Sequence, residues 1–159
     1  MIIAIDPGIS GAAAALNGRR CFDSIIDLPT VGEGKRRVID TQSFWCWVGN
    51  LNPTRIIMEN VHSMPKQGLS STFRFGMAFG ALQAICNIWL GRDIELVEPQ
   101  VWKAYFELSG KDKEESRQLA TDLFPDEAYY KLTRKKDHQR AEAMLIAWWA
   151  NRPPVGRNW

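Results

Sequence analysis

The sequence predicts an α/β fold, a mixed five-stranded sheet with helices on both faces. Two uninterrupted apolar runs, MIIAI and RIIM, each end on an acidic residue, Asp6 and Glu59. The pair Asn17-Gly18, a strong signal for a two-residue hairpin, separates two further strand-like segments. Helix-like segments then separate and follow the later strands. Hairpin-linked strands therefore come first, and strand–helix units follow.

The first half of the chain contains three predicted strands and one helix. Residues 2–5 form a buried strand, and residues 11–17 and 19–29 form two more around the hairpin. The polar segment VGEGKRRV is predicted as a loop. Asp40 is predicted to cap a helix over TQSFWCWVGNL, which ends at the Asn-Pro pair 52–53.

The second half contains two more strands and several helices. RIIMEN is the fourth predicted strand, a long helix covers residues 72–90, and IELVE is the fifth strand. Further helices are predicted around PQVWKAYFEL, KEESRQLATDLF and QRAEAMLIAWWAN. Hairpins give antiparallel neighbours, and strand–helix–strand units give parallel ones. The first and fourth strands, apolar on both faces, become central neighbours. This order is the ribonuclease H-like architecture.

Length and composition predict one soluble domain over residues 1–151, with a C-terminal tail over 152–159. The three cysteines lack the paired spacing of a zinc site or a disulfide framework. No leader with a cleavage site is expected at the strand-like N-terminus. The longest apolar stretch, FGMAFGALQAICNIWL, is shorter than the roughly 20 residues that cross a bilayer. We therefore expect a buried helix there, no membrane association and a cytoplasmic location.

Basic residues form two clusters although the net charge is only +2. One cluster is Lys35–Arg37. The other lies between residues 131 and 140 and consists of Lys131, Arg134, Lys135, Lys136 and Arg140. For each cluster taken alone, a solvated face and a phosphate-binding surface are equally open interpretations.

The acids that end the two apolar strands are candidate metal ligands. If the strands are adjacent and parallel, Asp6 and Glu59 lie side by side about 5 Å apart. Two carboxylates that close repel each other and raise each other's pKa unless a cation lies between them. Mg²⁺ favours a few carboxylates together with phosphate oxygens. Each acid alone also fits a turn or a strand end, but the pair in these positions favours a metal site.

A third group of candidate ligands lies in KKDHQRAEAMLIAWWA. His138 and Glu142 are four residues apart and share a helix face. Asp137, at or before the first turn, also fits a helix N-cap. Glu142 lies between two alanines, which leave room for a close approach to a sheet edge. We rank Glu142 ahead of Asp137 as a ligand, with His138 as a third candidate.

These motifs resemble those of the RuvC-type Holliday junction resolvases, within the ribonuclease H-like superfamily. IDPGISG is similar to the first motif of the family, IIMENV to the second and KKDHQRAEAMLIA to the last. MPKQGLSSTFRFGMAFG is similar to the branch found in phages and prophages. The resemblance extends from residue 1 to about residue 150, and four motifs in order are more specific than any one of them.

The resemblance implies a crossover junction endodeoxyribonuclease that resolves four-way DNA junctions in a bacterial or phage-infected cytoplasm. Asp6, Glu59 and Glu142, with Asp137 or His138, would bind two Mg²⁺ or Mn²⁺ ions. One ion would activate a water for attack on a phosphodiester, and the other would stabilise the leaving oxygen. Family members act as homodimers, cut two symmetric strands and leave 5′-phosphate and 3′-hydroxyl ends.

The resemblance also implies roles for basic residues. Lys103 and Lys113 are similar to two family lysines near the site, where they would stabilise phosphate charge in the transition state. A solvated surface position is an equal alternative for Lys113 and a weaker one for Lys103, which lies beside Trp102. The second basic cluster flanks the predicted site, so DNA contacts are expected for Arg134, Lys135, Lys136 and Arg140.

The sequence departs from the family at two points. An aromatic residue that enters the junction is replaced by His62, which we expect to contact DNA without base insertion. Met64 or Phe73 could take the aromatic role, with loop and core packing as the alternative. Asp137 and Glu142 are five residues apart, about 140° around a helix. Both can reach one metal pair only if Asp137 precedes the helix.

Gly76 and Gly80 are four residues apart on the helix predicted over 72–90. Their missing side chains allow another helix backbone to come close, either within the chain or across a homodimer interface. Because this helix is apolar nearly all round, we favour the homodimer interface.

Other functions stay open beside junction resolution. A nuclease of the same fold could act on branched DNA generally or on RNA. A junction-binding architectural protein with little cleavage is a third candidate, although the intact carboxylates argue against it. A sugar kinase or ATPase of the actin-like group begins similarly but needs a second glycine-rich phosphate loop, which the sequence lacks.

Overall fold

The main sheet has five strands. The computed structural model describes residues 1–62 and 68–152, so most of the predicted tail lies outside the described residues. The five strands are β1 (Ile2–Asp6), β2 (Ala12–Leu16), β3 (Phe22–Asp27), β6 (Arg55–Glu59) and β7 (Glu95–Val97). A separate hairpin of β4 (Thr30–Val31) and β5 (Val38–Ile39) lies in and beside the predicted loop. The prediction of a mixed five-stranded sheet is confirmed.

Strand β1 lies at the centre of the sheet and pairs differently on its two sides. It is antiparallel to β2, which is antiparallel to β3. It is parallel to β6, with Ile5 opposite Met58, and β6 is parallel to β7. The predicted adjacency of the first and fourth strands, here β1 and β6, is confirmed. Because parallel strands end at the same edge, Asp6 and Glu59 finish side by side.

Helices cover both faces of the sheet. The described helices are α1 (Thr41–Leu51), α2 (Leu69–Leu90), α3 (Pro99–Tyr105), α4 (Lys113–Leu123), α5 (Pro125–Lys131) and α6 (His138–Ala150). Ala4 and Ile57 face the core formed with α3 to α6, whereas Ile3, Ile5 and Ile56 face the core formed with α1 and α2. This alternation follows from the two-residue repeat of a strand, and it confirms helices on both faces.

Helices α2 and α5 differ from the sequence-based prediction. Helix α2 begins at Leu69 rather than about residue 72. Ser70 and Ser71 favour a loop by composition, but the backbone N–H groups of Ser71 and Thr72 donate to the carbonyl oxygen of Gly68 and begin the helix here. Helix α5 was not predicted as a separate element. It begins at Pro125, because proline needs no N–H partner at the first helical position.

Helix α2 is buried on only one side. Its buried residues are Ala78, Leu82, Ile85 and Cys86. By contrast, Phe73, Met77 and Ile88 are 70%, 50% and 70% exposed. The prediction of a buried helix is therefore wrong for this side. By length and composition alone, Leu69–Leu90 could also cross a membrane, so the absence of membrane association stays a prediction.

Helix α6 carries one acid into the interior. Every residue from Ala141 to Ala147 is buried, Glu142 included, because the helix is enclosed by β1 and β2 on one side and α4 on another. The surrounding residues are apolar and fix the helix against the sheet. The position of Glu142 relative to β1 is therefore set by core packing.

Candidate active site

Three carboxylates from three elements line one cavity of about 610 Å³, here called the carboxylate cavity. Asp6 ends β1, Glu59 ends β6, and Glu142 lies on the second turn of α6. All three residues are buried, with only 8%, 5% and 6% of their surface exposed. Lys103 from α3 and Lys113 from the start of α4 line the same cavity. The structure therefore brings together five of the predicted site residues.

The turn that follows Asp6 depends on two glycines. Gly8 has a φ of +137°, which side-chain-bearing residues rarely adopt. At Gly11, a Cβ atom would lie 2.2 Å from the carbonyl oxygen of Asp6. A side chain there would displace the backbone of Asp6, so the motif IDPGISG fixes the first carboxylate through its glycines.

Burial and mutual repulsion act on the strand-end acids. The pKa of Asp6 is raised well above its ordinary value, first by burial and then by the charges of Glu142 and Glu59. Burial also raises the pKa of Glu59. A hydrogen bond from Trp102 acts to lower this pKa, and the charge of Glu142 acts to raise it further. Lys103 and Lys113 offset only part of these shifts, so the cavity is short of positive charge.

Each glutamate has one oxygen held by the protein. The indole Nε1 of Trp102 donates to Oε1 of Glu59 at 2.8 Å. The Nζ of Lys103 lies 3.2 Å from Oε1 of Glu142, and Oγ of Ser116 donates to the same oxygen at 3.4 Å. The other oxygen of each glutamate, and both oxygens of Asp6, accept no hydrogen bond from the described residues. These oxygens are available as ligands.

This donor set fits a hard divalent cation. Carboxylate oxygens are the ligands that Mg²⁺ and Mn²⁺ prefer, and Ser10 and Gln139 add a hydroxyl and an amide to the cavity wall. A cation would also offset the repulsion that raises the pKa of Asp6. Within residues 1–62 and 68–152, no three acidic, histidine or cysteine side chains are already gathered as a metal-binding group. The cavity therefore presents ligands rather than a preformed coordination shell.

Asp137 does not line the carboxylate cavity. It precedes α6 and is 1% exposed, and its carboxylate accepts hydrogen bonds from the backbone and the guanidinium of Arg134 at 2.8 and 2.6 Å. Burial acts to raise the pKa of Asp137, but these hydrogen bonds and the charge of Arg140 bring it below its ordinary value. The charge of Asp137 is thus compensated by arginine, and a ligand role for Asp137 stays a prediction.

His138 begins α6 and also does not line the carboxylate cavity. Its Nδ1 lies 3.4 Å from the carbonyl oxygen of Lys135. Its Nε2 is buried and has no hydrogen-bond partner among the described residues. A ligand role for His138 likewise stays a prediction.

The second basic cluster borders a neighbouring cavity of about 300 Å³, here called the basic cavity. Arg134 and Lys136 line it. Arg140 donates to both carboxylate oxygens of Asp27 at 2.6 and 2.7 Å, so its charge is largely compensated within the protein. Lys135 is exposed and does not line this cavity. DNA contacts by these four residues stay predictions.

Two of the residues considered for the junction centre, His62 and Phe73, belong to the described part of the chain. His62 is exposed, with its Nε2 3.4 Å from a carboxylate oxygen of Glu98. Phe73 is exposed on α2, which removes core packing as the explanation for this side chain. Met64 lies outside the described residues. Phe75, not identified from the sequence, lines the carboxylate cavity.

Sequence reasoning also missed Gln139 and the role of Trp102. Gln139 lies three residues before Glu142, so helical spacing could have placed both on one face. The contact between Trp102 and Glu59 joins residues 43 positions apart. No local pattern predicts it, because it arises only when α3 packs against β6.

No protein-family model and no curated protein matches this chain. Solved structures do. The RuvC of Thermus thermophilus in complex with a Holliday junction substrate is 16% identical with a TM-score of 0.62, over 92% of this chain and 89% of that chain. A further structure of Thermus thermophilus RuvC is 18% identical with a TM-score of 0.57, over 92% and 90%.

A third similar structure is the yeast mitochondrial Holliday junction resolvase Ydc2. It is 20% identical with a TM-score of 0.53, over 94% of this chain and 80% of that chain. At these identities the likeness shows the fold. The resemblance to RuvC-type resolvases is thus confirmed as a shared fold, and assignment to the phage branch stays a prediction.

Proposed function

We propose that this protein is a divalent-metal-dependent endonuclease that resolves four-way DNA junctions. The strongest support is the convergence of Asp6, Glu59 and Glu142 on one cavity that Lys103 and Lys113 also line. The solved structures with this fold include a RuvC in complex with a Holliday junction substrate and a mitochondrial Holliday junction resolvase. Their substrates support the choice of a branched DNA.

The three carboxylates would hold Mg²⁺ or Mn²⁺, with two ions per site. When bound, such ions supply an activated water and stabilise the leaving 3′-oxygen, so that hydrolysis leaves a 5′-phosphate and a 3′-hydroxyl. Trp102 holds Oε1 of Glu59, and Lys103 holds Oε1 of Glu142, which orients each carboxylate. Lys113, exposed at the rim, attracts the incoming phosphate and offsets its growing negative charge.

Paired cutting needs two sites, and the exposed side of α2 supports a homodimer in this proposal. Phe73, Met77 and Ile88 place apolar surface on this side. No described atom lies within 4 Å of a Cβ built at Gly76 or Gly80. Packing within the described chain therefore does not explain these glycines, whereas a helix of a second copy would fit there.

Synthetic four-way junctions, forks, linear duplexes and RNA, each incubated with Mg²⁺ or with a chelator, test the proposed function. Paired nicks confined to the junction and dependent on Mg²⁺ support it. Cutting of forks or RNA at similar rates would instead indicate a broader nuclease. Junction binding without nicks in any metal would indicate an architectural protein.

Matched acid-to-amide variants connect the activity to the site. We expect Asp6→Asn and Glu142→Gln to reduce cutting by at least about 100-fold and to retain junction binding. Asp126→Asn, at an exposed position of α5 outside the carboxylate cavity, is the control for lost charge. Normal cutting by Asp6→Asn, or loss of both binding and cutting in a folded Asp6→Asn protein, would contradict the assigned role.

A further inference from the structure

The carboxylate cavity and the basic cavity share a wall. Ser10, Gly11 and Gln139 line both of them. The first two residues belong to the turn after β1, and the third lies on the first turn of α6. A polymer held at the carboxylates can therefore continue over this wall into the basic cavity.

The acids of the basic cavity are already paired within the protein. Asp27 accepts hydrogen bonds from Arg140 at 2.6 and 2.7 Å, and Asp137 accepts one from Arg134 at 2.6 Å. The cavity is also lined by Arg37 and Lys136. Within the described ranges, these two cations form no ion pair with a carboxylate. The basic cavity therefore carries a net positive charge that the protein does not compensate.

Arg37 is held in place as well as charged. Its Nη2 donates to the carbonyl oxygen of Ile9 at 3.0 Å, and the residue is half-buried. This neutral partner positions the guanidinium beside the turn after β1 without cancelling its charge. A planar guanidinium can still donate to two oxygens of one phosphate through its remaining N–H groups.

We propose that the basic cavity binds a DNA phosphate next to the scissile phosphate on the same strand, through Arg37 and Lys136. This inference rests on the proposed nuclease function and deepens it. Phosphates follow one another about every 3.4 Å of helix axis along a strand. A strand with one phosphate at the carboxylates therefore carries the next phosphates across the Ser10–Gly11 wall.

The chain offers a matched control for Arg37. Arg36 is the preceding residue and carries the same charge, but it is exposed and lines neither cavity. A diffuse electrostatic attraction would involve Arg36 and Arg37 equally. A phosphate-binding site in the basic cavity would involve only Arg37.

The test is a double-mutant cycle between protein and DNA, measured as junction binding in chelator so that no strand is cut. Each junction carries one neutral methylphosphonate at a defined position near the cleavage site. We expect Arg37→Ala to weaken binding of unmodified DNA about tenfold, and one methylphosphonate beside the scissile position to weaken wild-type binding about as much. The variant and the methylphosphonate together should weaken binding no more than either change alone. Arg36→Ala should change binding less than about twofold and keep the methylphosphonate effect.

Two controls and three outcomes separate this inference from others. Arg37→Lys, which keeps the charge, should restore part of the binding, and thermal unfolding without DNA checks the fold of each variant. Equal effects of Arg36→Ala and Arg37→Ala on junction binding would overturn the inference. It would also be overturned if the effect of Arg37→Ala simply added to that of a methylphosphonate at every position tested. A wild-type protein that binds no junction would overturn the proposed function and this inference with it.

Discussion

Asp6 is a residue whose burial conflicts with its charge. Its raised pKa means that ionising it in the folded, metal-free protein costs free energy. We expect Asp6→Asn to raise the metal-free free energy of unfolding at neutral pH by on the order of 1 kcal/mol, because the variant removes a repelled charge. The same variant should lose the stabilisation that Mg²⁺ gives to the wild type. Urea unfolding with Mg²⁺ and with chelator measures both effects.

Asp126→Asn is the matched control, since Asp126 is exposed on α5 and lies outside the carboxylate cavity. It should change neither the metal-free stability nor the response to Mg²⁺. A metal-free Asp6→Asn protein less stable than the wild type would show that the carboxylate is structural rather than held for a ligand.

Trp102 connects the core to the site at the residue scale. It is fully buried and donates its indole N–H to Glu59. We expect Trp102→Phe to lower the free energy of unfolding by about 1–3 kcal/mol and to weaken Mn²⁺ binding several-fold, because Glu59 loses its orienting donor. Isothermal titration calorimetry measures the affinity.

The control for lost indole hydrogen bonding is Trp47→Phe. Trp47 donates to Oγ of Ser24 at 3.0 Å and packs, half-buried, against the core on the other side of the sheet. This variant should lose stability but keep the Mn²⁺ affinity. Equal Mn²⁺ affinities for Trp102→Phe and the wild type would contradict a positioning role for Trp102.

Among the elements, the strands that end in acids could be predicted because their signal is local. An apolar run fixes a buried strand, and the connection rules make β1 and β6 parallel neighbours. These two rules are sufficient to place Asp6 and Glu59 side by side. Glu142 could be predicted as well, because burying an acidic residue within an apolar helix costs free energy unless a partner or ligand compensates its charge.

The surroundings of Asp137 could not be predicted in the same way. Its partner Arg134 reaches it only because a short 3₁₀ turn, Lys135–Asp137, precedes α6. The exposed side of α2 differs from the predicted buried helix, because an apolar pattern does not distinguish burial within one chain from burial against another. Sequence periodicity reports which residues avoid water and not what covers them.

Helix α2 carries the prediction about assembly. Gly80→Arg places a long charged side chain where no described atom lies within 4 Å of its Cβ, so the monomer should fold normally. If α2 forms the homodimer interface, this variant should be monomeric where the wild type is dimeric. It should also give single, uncoupled nicks in junctions. Analytical ultracentrifugation measures the oligomeric state.

Leu123→Arg is the control, because it adds the same charge at an exposed apolar position of α4. It should leave the dimer intact. A wild type that is monomeric at all concentrations, or a Gly80→Arg protein that stays dimeric, would exclude α2 as the interface.

Over the whole molecule, two sets of carboxyl groups act in opposite directions as pH changes. Asp6 and Glu59 have raised pKa values, so their contribution to stability is present at low pH and lost as pH rises through those values. Hydrogen bonds from Arg140 and Arg55 lower the pKa values of Asp27 and Glu95. The stability that Asp27 and Glu95 contribute is present above the ordinary carboxyl range and is lost as pH falls through their lowered pKa values.

The metal-free protein should therefore be most stable at mildly acidic pH. Its free energy of unfolding should fall as pH rises above the ordinary carboxyl range, because Asp6 and Glu59 ionise there at their raised pKa values. Mg²⁺ should reduce this decline, because it stabilises the ionised carboxylates. Urea unfolding across the pH range measures the profile, and a metal-free stability that rises steadily to about pH 8 would contradict it.

The central claim is that β1, β6 and α6 bring three carboxylates to one place where divalent cations gather. Anomalous diffraction from crystals containing Mn²⁺ tests it most directly. We predict Mn²⁺ in the carboxylate cavity, in contact with Asp6, Glu59 and Glu142, and its loss from crystals of Asp6→Asn. Mn²⁺ bound only elsewhere, for example at Asp27, with none in this cavity, would contradict the claim.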